Sequence, residues 1–241
     1  MDRHRYIAEG RDTVPGWFQR TDAVLFDAID SAQRRAGITG DILEIGCYQG
    51  ASAVLLGYLR QPGERFIVCD LFDGAVTHPE DVVERQRFYT DLSRRTFETN
   101  YLKFHRDLPE IIAGPSSGLF DLGLARTCRL IHVDGSHTYD VVRSDLLLSR
   151  QLLMPGGVVA FDDIISMHTP GVTAAVWEGV LRDELVPLFQ SRKFYGTWGA
   201  PCHIDIPEEL PSHPHHVLGH TMLHVEDPSP PGTGPAITSI A

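Results

Sequence analysis

Short apolar runs alternate along this chain with longer amphipathic ones, and acids stand where the short runs stop. Leu130–Val133 and Val158–Phe161 carry valine and isoleucine, the composition of strands buried on both faces of a parallel sheet. Between them, from His137 to Leu153, Val142, Leu146 and Leu153 repeat at helical spacing with Val141, Leu147 and Leu148 flanking, and Pro155-Gly156-Gly157 ends the pattern. The stretch therefore predicts strand, helix, strand. If the two parallel strands are neighbours, their tips lie roughly 5 Å apart, which puts Asp134 beside Asp162 and Asp163.

The same alternation extends both ways. Asp41–Ile45 predicts a strand, Gly46-Cys47-Tyr48-Gln49-Gly50 a turn, Ala53–Leu59 a helix, and Phe66–Cys69 a second strand closed by Asp70. Upstream, Thr21 or Asp22 is placed to cap a helix whose Val24, Leu25, Ala28, Ile29 and Ala32 keep one face as far as Gly37. Downstream, 82–105 reads as charged helix with its aromatic residues mostly facing the core, Pro109–Ala113 as strand and Val172–Leu188 as helix. Phe189–Phe194 and Cys202–Ile206 suit an antiparallel edge. The expected fold is α/β, a doubly wound and mostly parallel sheet with an antiparallel edge. Three regions are expected: 1–39 as an N-terminal flap and covering helix, 40–206 as the ligand-binding domain, and 207–241 as a tail. The tail holds seven of the 16 prolines and five of the 12 histidines, and the last stretch, Pro228–Ala241, is expected to be mobile.

A length of 241 residues, 42% hydrophobic and 22% charged, suits one globular domain. The formal charge of −11, with no basic block to offset it, argues against nucleic acid. No segment has the apolar length for a membrane span or the layout of a signal peptide, so a soluble cytoplasmic protein is expected. Cys47, Cys69, Cys128 and Cys202 are too far apart for a CxxC pair and read as reduced thiols. His213, His215, His216, His220 and His224 match no standard zinc spacing. Val217–Val225 is expected to pack on the body or on a second copy, as in a homo-oligomer.

Three carboxylates at one sheet edge repel one another unless a cation joins them. Asp134, Asp162 and Asp163 therefore point to a hard metal, Mg²⁺ (or Mn²⁺), since every ligand is oxygen. The plainer alternative is that these acids cap helices and solvate loop ends. A strand, a two-glycine turn and a helix start form the first unit of a nucleotide-type fold, and Asp70, 20 residues after Gly50, can bind ribose hydroxyls. A dinucleotide site needs glycine where this chain has Tyr48, which disfavours a pyrophosphate and favours S-adenosylmethionine. The candidate cofactor contacts are Glu44, Gly46, Tyr48, Gly50, Ser52, Asp70, Ser116 and Asp134. Ser116 is a candidate adenine contact and reads equally well as a helix cap. His168 and Trp177 are candidates to meet substrate.

With EIGCYQGAS, Asp70, HVDGSHTYD and MPGGVVAFDD in view, the chain resembles class I S-adenosylmethionine-dependent methyltransferases over roughly Gly40 to Cys202. It is most similar in pattern to the metal-dependent O-methyltransferases of the macrocin type, which act on sugars of macrolide and aminocoumarin natural products. The resemblance implies that Asp134, Asp162 and Asp163 hold Mg²⁺, that His137 acts as base beside Asp134, and that the Gly46–Gly50 turn and Asp70 hold S-adenosylmethionine. The acceptor would be a small hydroxylated molecule. Three rivals remain: a catechol-type O-methyltransferase, whose third ligand is usually Asn where this chain has Asp163; a nicotinamide-dependent oxidoreductase; and a non-catalytic metal-binding assembly protein.

Overall fold

A computed structural model describes residues 1–76 and 78–228, apart from the side chains of Glu84 and Asp121. A helical turn, α1 (Arg3–Arg5), leads through π and 3-10 turns to α2 (Arg20–Arg35). Then follow β1 (Asp41–Ile45), α3 (Ala51–Leu59), β2 (Phe66–Asp70), α4 (Pro79–Phe88), α5 (Arg94–Tyr101) and β3 (Glu110–Ala113). The central crossover is β4 (Cys128–Val133), α6 (Tyr139–Leu152) and β5 (Leu153–Phe161). After it come α7 (Pro170–Arg182), β6 (Val186–Gln190), β7 (Phe194–Thr197), β8 (Ser212–Val217) and β9 (His220–Val225).

The strands form one sheet in the order β3-β2-β1-β4-β5-β7-β6-β9-β8. The first five are parallel, and β7 turns antiparallel against both β5 and β6. This is the expected doubly wound α/β sheet. Its order reverses between β1 and β4, and at such a switch point ligands bind beyond the carboxyl ends of the strands.

Alternation along the strands feeds two cores. Ile42, Leu130 and Val158 pack with α2 and α3 on one face, and Leu43, Ile131 and Val159 with α6 and α7 on the other. All six residues of β4 are buried, as a central parallel strand requires.

Several expectations change in detail. Pro155-Gly156-Gly157 does not separate helix from strand but lies inside β5, which starts at Leu153 and slips register against β4 between Cys128 and Leu130. Thr21 and Asp22 lie inside α2 rather than capping it. Thr21 Oγ1 donates to Asp227 Oδ1 (2.8 Å), while Asp22 Oδ1 accepts from Ser191 Oγ (2.6 Å) and Tyr195 OH (2.9 Å). Cys202–Ile206 is not a strand, and its place in the sheet is taken by the β8–β9 hairpin, since β9 pairs parallel with β6 at Phe189↔Leu223. The Pro/His-rich region thus joins the sheet, with Pro214 on the edge strand where a missing N–H is tolerated. The stretch expected to be mobile lies outside the described residues beyond Pro228. All four cysteines are free thiols. Among the described residues no helix is long and apolar enough to cross a membrane.

One charged side chain is built into the core. Arg129, fully buried on β4, donates to both oxygens of Glu64 (2.8 and 2.9 Å), to Gln33 Oε1 (2.8 Å) and to the Leu59 carbonyl (2.9 Å), and lies 3.0 Å from Asp30. Burial alone would raise Glu64; the Arg129 bonds and the backbone amides of Gln61 and Gly40 outweigh it and hold the carboxyl low. The network ties the amino ends of β1 and β4 to α2 and α3. Removing one partner of a buried pair leaves the other charge uncompensated, so Arg129→Met is expected to cost about 3–5 kcal/mol in urea denaturation. A loss within about 0.5 kcal/mol, the range of an ordinary surface substitution, would show that the network carries little of the stability.

Candidate active site

The site begins with how the strand tips are tied together. Beyond the ladders, Gly46 N donates to Cys69 O (2.8 Å), Asp134 N to Ile45 O (2.7 Å) and Asp162 N to Val133 O (3.0 Å). Four adjoining strands therefore end at one level. Gly46 has φ +79°, and a Cβ there would stand 2.1 Å from the Asp134 carbonyl, so glycine is what lets β1 and β4 close up.

A cavity of about 870 Å³ opens on this edge. The turn after β1, the end of β2, Gly114–Ser116, the tips of β4 and β5, the loop before α7 and Pro15–Gln19 all line it. Within the region expected as an N-terminal flap, Tyr6 is buried with its hydroxyl on the Ala51 carbonyl (2.6 Å), and residues 15–19 form a cavity wall.

Most of the predicted contacts gather here. Gly46, Tyr48, Ser52, Asp70, Ser116, Asp134, His137, Asp162 and Asp163 all line the cavity. Gly50, in the left-handed region at φ +101°, sits at the amino end of α3 against the Phe97 ring.

The roles are redistributed. Asp70 Oδ2 accepts from Cys47 N (2.7 Å) and Tyr48 N (3.3 Å), and Oδ1 from Phe72 N (2.7 Å). A carboxylate has about four acceptor positions, so Asp70 first pins the glycine turn and keeps about one position beyond those three amides. Burial raises its pKa, and those amides oppose the rise.

Glu44 is not a cavity residue. It is fully buried, and its Oε1 takes the Ser52 hydroxyl (2.5 Å) and faces His132 Nδ1 (2.9 Å). The reason is strand alternation: Glu44 shares the face of Ile42, under the helices. Ser116 Oγ donates to Asp145 Oδ1 (2.5 Å), so the serine is already engaged by a buried acid on α6. Trp177 packs edge-on against Phe194 in the core and does not reach the cavity, whereas His168 does. Of the 82–105 aromatics, Phe97 and Tyr101 are core, while Phe88 and Tyr89 face the cavity.

At the acid edge, Asp134, Asp162 and Asp163 stand together as expected. His137 Nε2 lies 3.0 Å from Asp163 Oδ2, and ligand-type atoms of Asp134, His137 and Asp163 lie within 4.8 Å of one another. Asp163 holds this place with φ +56°, a conformation uncommon outside glycine and one that clusters at functional sites. Burial and then the charge of Asp162 push Asp134 well above the usual carboxylate range. Burial would raise Asp162 as well, but the ammonium of Lys193 overcomes it and holds that carboxyl low. An oxygen-rich donor set of this kind could hold a hard divalent ion such as Mg²⁺ or Mn²⁺.

The sequence reading missed four participants. Lys193 contacts Asp162. His132, whose pKa is lowered chiefly by burial, lies behind the acids with Nε2 3.8 Å from Asp134. Asp145 lines the adenine-side wall expected for Ser116. Trp17 stacks on Tyr48 (5.3 Å between ring centres), with Tyr89 edge-on to both (5.7 and 5.4 Å). The Lys193, Asp145 and Trp17 contacts have no local signal, because each joins segments far apart in the chain, whereas His132 stands only two residues before Asp134.

A glycine turn, an acid on the second strand and an acidic cluster at the switch point define the ligand edge of a doubly wound α/β protein. Residues 43–164, just over half of the chain, match the methyltransferase domain family, and the chain belongs to that family. No curated protein matches it by sequence. Among solved structures it is similar to the O-methyltransferase NovP (TM-score 0.60, 18% identity, 75% of this chain and 80% of that one). It is also similar to the apo form of CalS11, a TDP-rhamnose 3'-O-methyltransferase of calicheamicin biosynthesis (0.52, 18%, 82% and 87%). A third is PaMTH1, a methyltransferase of Podospora anserina bound to SAH (0.50, 17%, 83% and 89%). At these identities the likeness is one of fold.

Burial lifts Asp145 from 3.8 to about 6, against the opposing bond from Ser116. The folded protein then binds more protons than the unfolded chain between those values, so stability falls as pH rises through that window. Asp145→Asn keeps an acceptor for Ser116 and removes the penalty. Its melting temperature should gain on the parent as pH rises from about 4 to about 6 and hold the gain above that. Parallel pH profiles would mean that Asp145 does not titrate with folding.

Proposed function

We propose that this methyltransferase-family chain is an S-adenosylmethionine-dependent O-methyltransferase acting on a hydroxyl of a small molecule, a sugar or glycosylated natural product. The observation that carries the reading is that one cavity holds both the glycine turn with Asp70 and the acid edge with His137. The fold likeness to NovP and CalS11 supports it, as does the bound SAH of PaMTH1. When bound, S-adenosylmethionine would supply the methyl group, and Mg²⁺ or Mn²⁺ held by carboxylates of the acid edge would lower the pKa of the acceptor hydroxyl and fix its position.

The chain's own residues do the rest. The Gly46–Gly50 turn and the start of α3 present backbone amides, and Asp70 and the Ser116–Asp145 pair offer polar contacts at the β2–β3 end. His137, oriented by Asp163 at 3.0 Å, is placed to take the acceptor proton onto its imidazole, and the same carboxylate stabilises the imidazolium that results. The Trp17–Tyr48–Tyr89 wall offers a flat apolar face to an acceptor ring. That wall also favours a second reading, an aromatic diol of the catechol type, which an assay with both acceptor classes separates.

Asp134→Asn is expected to abolish metal-stimulated methyl transfer while leaving S-adenosylmethionine binding by calorimetry largely intact, and full turnover of the parent in chelator would remove the metal from the reading. His137→Ala should lower turnover by about a hundredfold or more, with the loss shrinking at high pH. A parental rate would show that His137 does not take the proton. Trp17→Ala is expected to raise the KM for acceptor more than it lowers kcat, the pattern of lost ground-state binding.

A further inference from the structure

Phe161 at the end of β5 pairs antiparallel with Phe194 at the start of β7. The next residue outward on each side is therefore Asp162 and Lys193, and the ladder itself brings them face to face. Lys193 is 1% exposed. Its ammonium contacts Asp162 Oδ2 and lies 3.8 Å from Asp134 Oδ2. The neighbouring buried acid, Asp22, is held by Ser191 and Tyr195 on the two flanks of Lys193. Lys193 does not line the cavity, whereas Asp134, Asp162 and Asp163 do. The positive charge thus stands behind the acids, on the protein side.

Each oxygen of Asp162 already has one protein partner, and the partner on Oδ2 is a full positive charge. Oδ1 accepts from Asp163 N at 2.7 Å, and Oδ2 carries the ammonium. A divalent ion needs a carboxylate oxygen at about 2.0–2.1 Å for Mg²⁺, and an ammonium seated on that oxygen repels it. All three acids line the cavity, and ligand-type atoms group in two ways, Asp162 with Asp134 and the buried His132 nearest the ammonium, and Asp134 with Asp163 and His137 away from it. Two carboxylates suffice for Mg²⁺, which usually keeps several waters and takes further oxygens from substrate.

We propose that Lys193 is a resident cation that takes Asp162 out of the coordination of a divalent ion, leaving Asp134 and Asp163 as the carboxylates that hold it. This rests on the metal-assisted reading of the site. It assigns Lys193 as a positioning residue: it fixes Asp162, whose Oδ1 fixes the backbone of Asp163, and it lowers the total negative charge that the ion meets.

The test is Mn²⁺ binding by the full chain, read from the free-ion electron paramagnetic resonance signal, with no turnover involved. Replacing a residue that only supports a metal ligand typically changes affinity by about 10–100-fold, so Asp162→Asn should weaken Mn²⁺ by no more than that, and Asp163→Asn, as a ligand, should weaken it by clearly more. Lys193→Met should tighten Mn²⁺, because it returns a negative charge to the site. Should Lys193→Met fail to fold, the comparison of Asp162→Asn with Asp163→Asn still decides. Equal losses in those two variants would overturn the proposal, and so would weaker Mn²⁺ binding in folded Lys193→Met. If no form binds Mn²⁺ the proposal falls, while methyl transfer by the parent in chelator would show separately that the methyltransferase reading stands.

Discussion

Acidic side chains that cannot share a sheet edge on their own are the constraint on which the rest of this site depends. Asp134 and Asp162 end adjacent parallel strands because β4 and β5 pair in register from Leu130↔Val158 to Val133↔Phe161. Their mutual repulsion has to be relieved inside the protein, where screening by water is weak. Lys193 relieves part of it from behind, held under the edge by the return of β7. The unrelieved part falls on Asp134, which is why burial and its neighbours push that carboxyl up while Asp162 is held low.

A similar logic runs at the opposite end of the sheet. There Arg129 is the buried cation, shared by Glu64, Asp30 and Gln33. The two buried cations thus fix opposite ends of the central strands, one mainly a matter of stability and the other of site chemistry. Between them every residue of β4 is buried, and its pairing with β1 and β5 sets where Asp134 stands.

The cavity unites groups with separate duties. Asp70, three of whose acceptor positions are taken by backbone amides, is first a clamp on the turn that carries Tyr48. Tyr48 in turn stacks with Trp17 from the N-terminal segment, and both line the cavity. The turn after β1 therefore also shapes the aromatic wall of the cavity.

The sequence by itself determined the doubly wound sheet, the glycine turn and the meeting of Asp134 with Asp162 and Asp163, because hydrophobic period, glycine placement and the geometry of a parallel crossover are local properties. It did not determine which way each polar residue turns: Glu44 was expected at the cofactor and instead lies under the helices with Ser52 and His132, and Ser116 is taken by Asp145. Nor could it place the β8–β9 hairpin in the sheet, since a Pro/His-rich stretch carries no strand period of its own. Tertiary structure alone decided that Lys193, 31 residues after Asp162 and 59 after Asp134, is their counter-charge. That pairing comes from an antiparallel register set by Phe161 against Phe194, and a register between distant strands is fixed by packing rather than by any pattern within either strand.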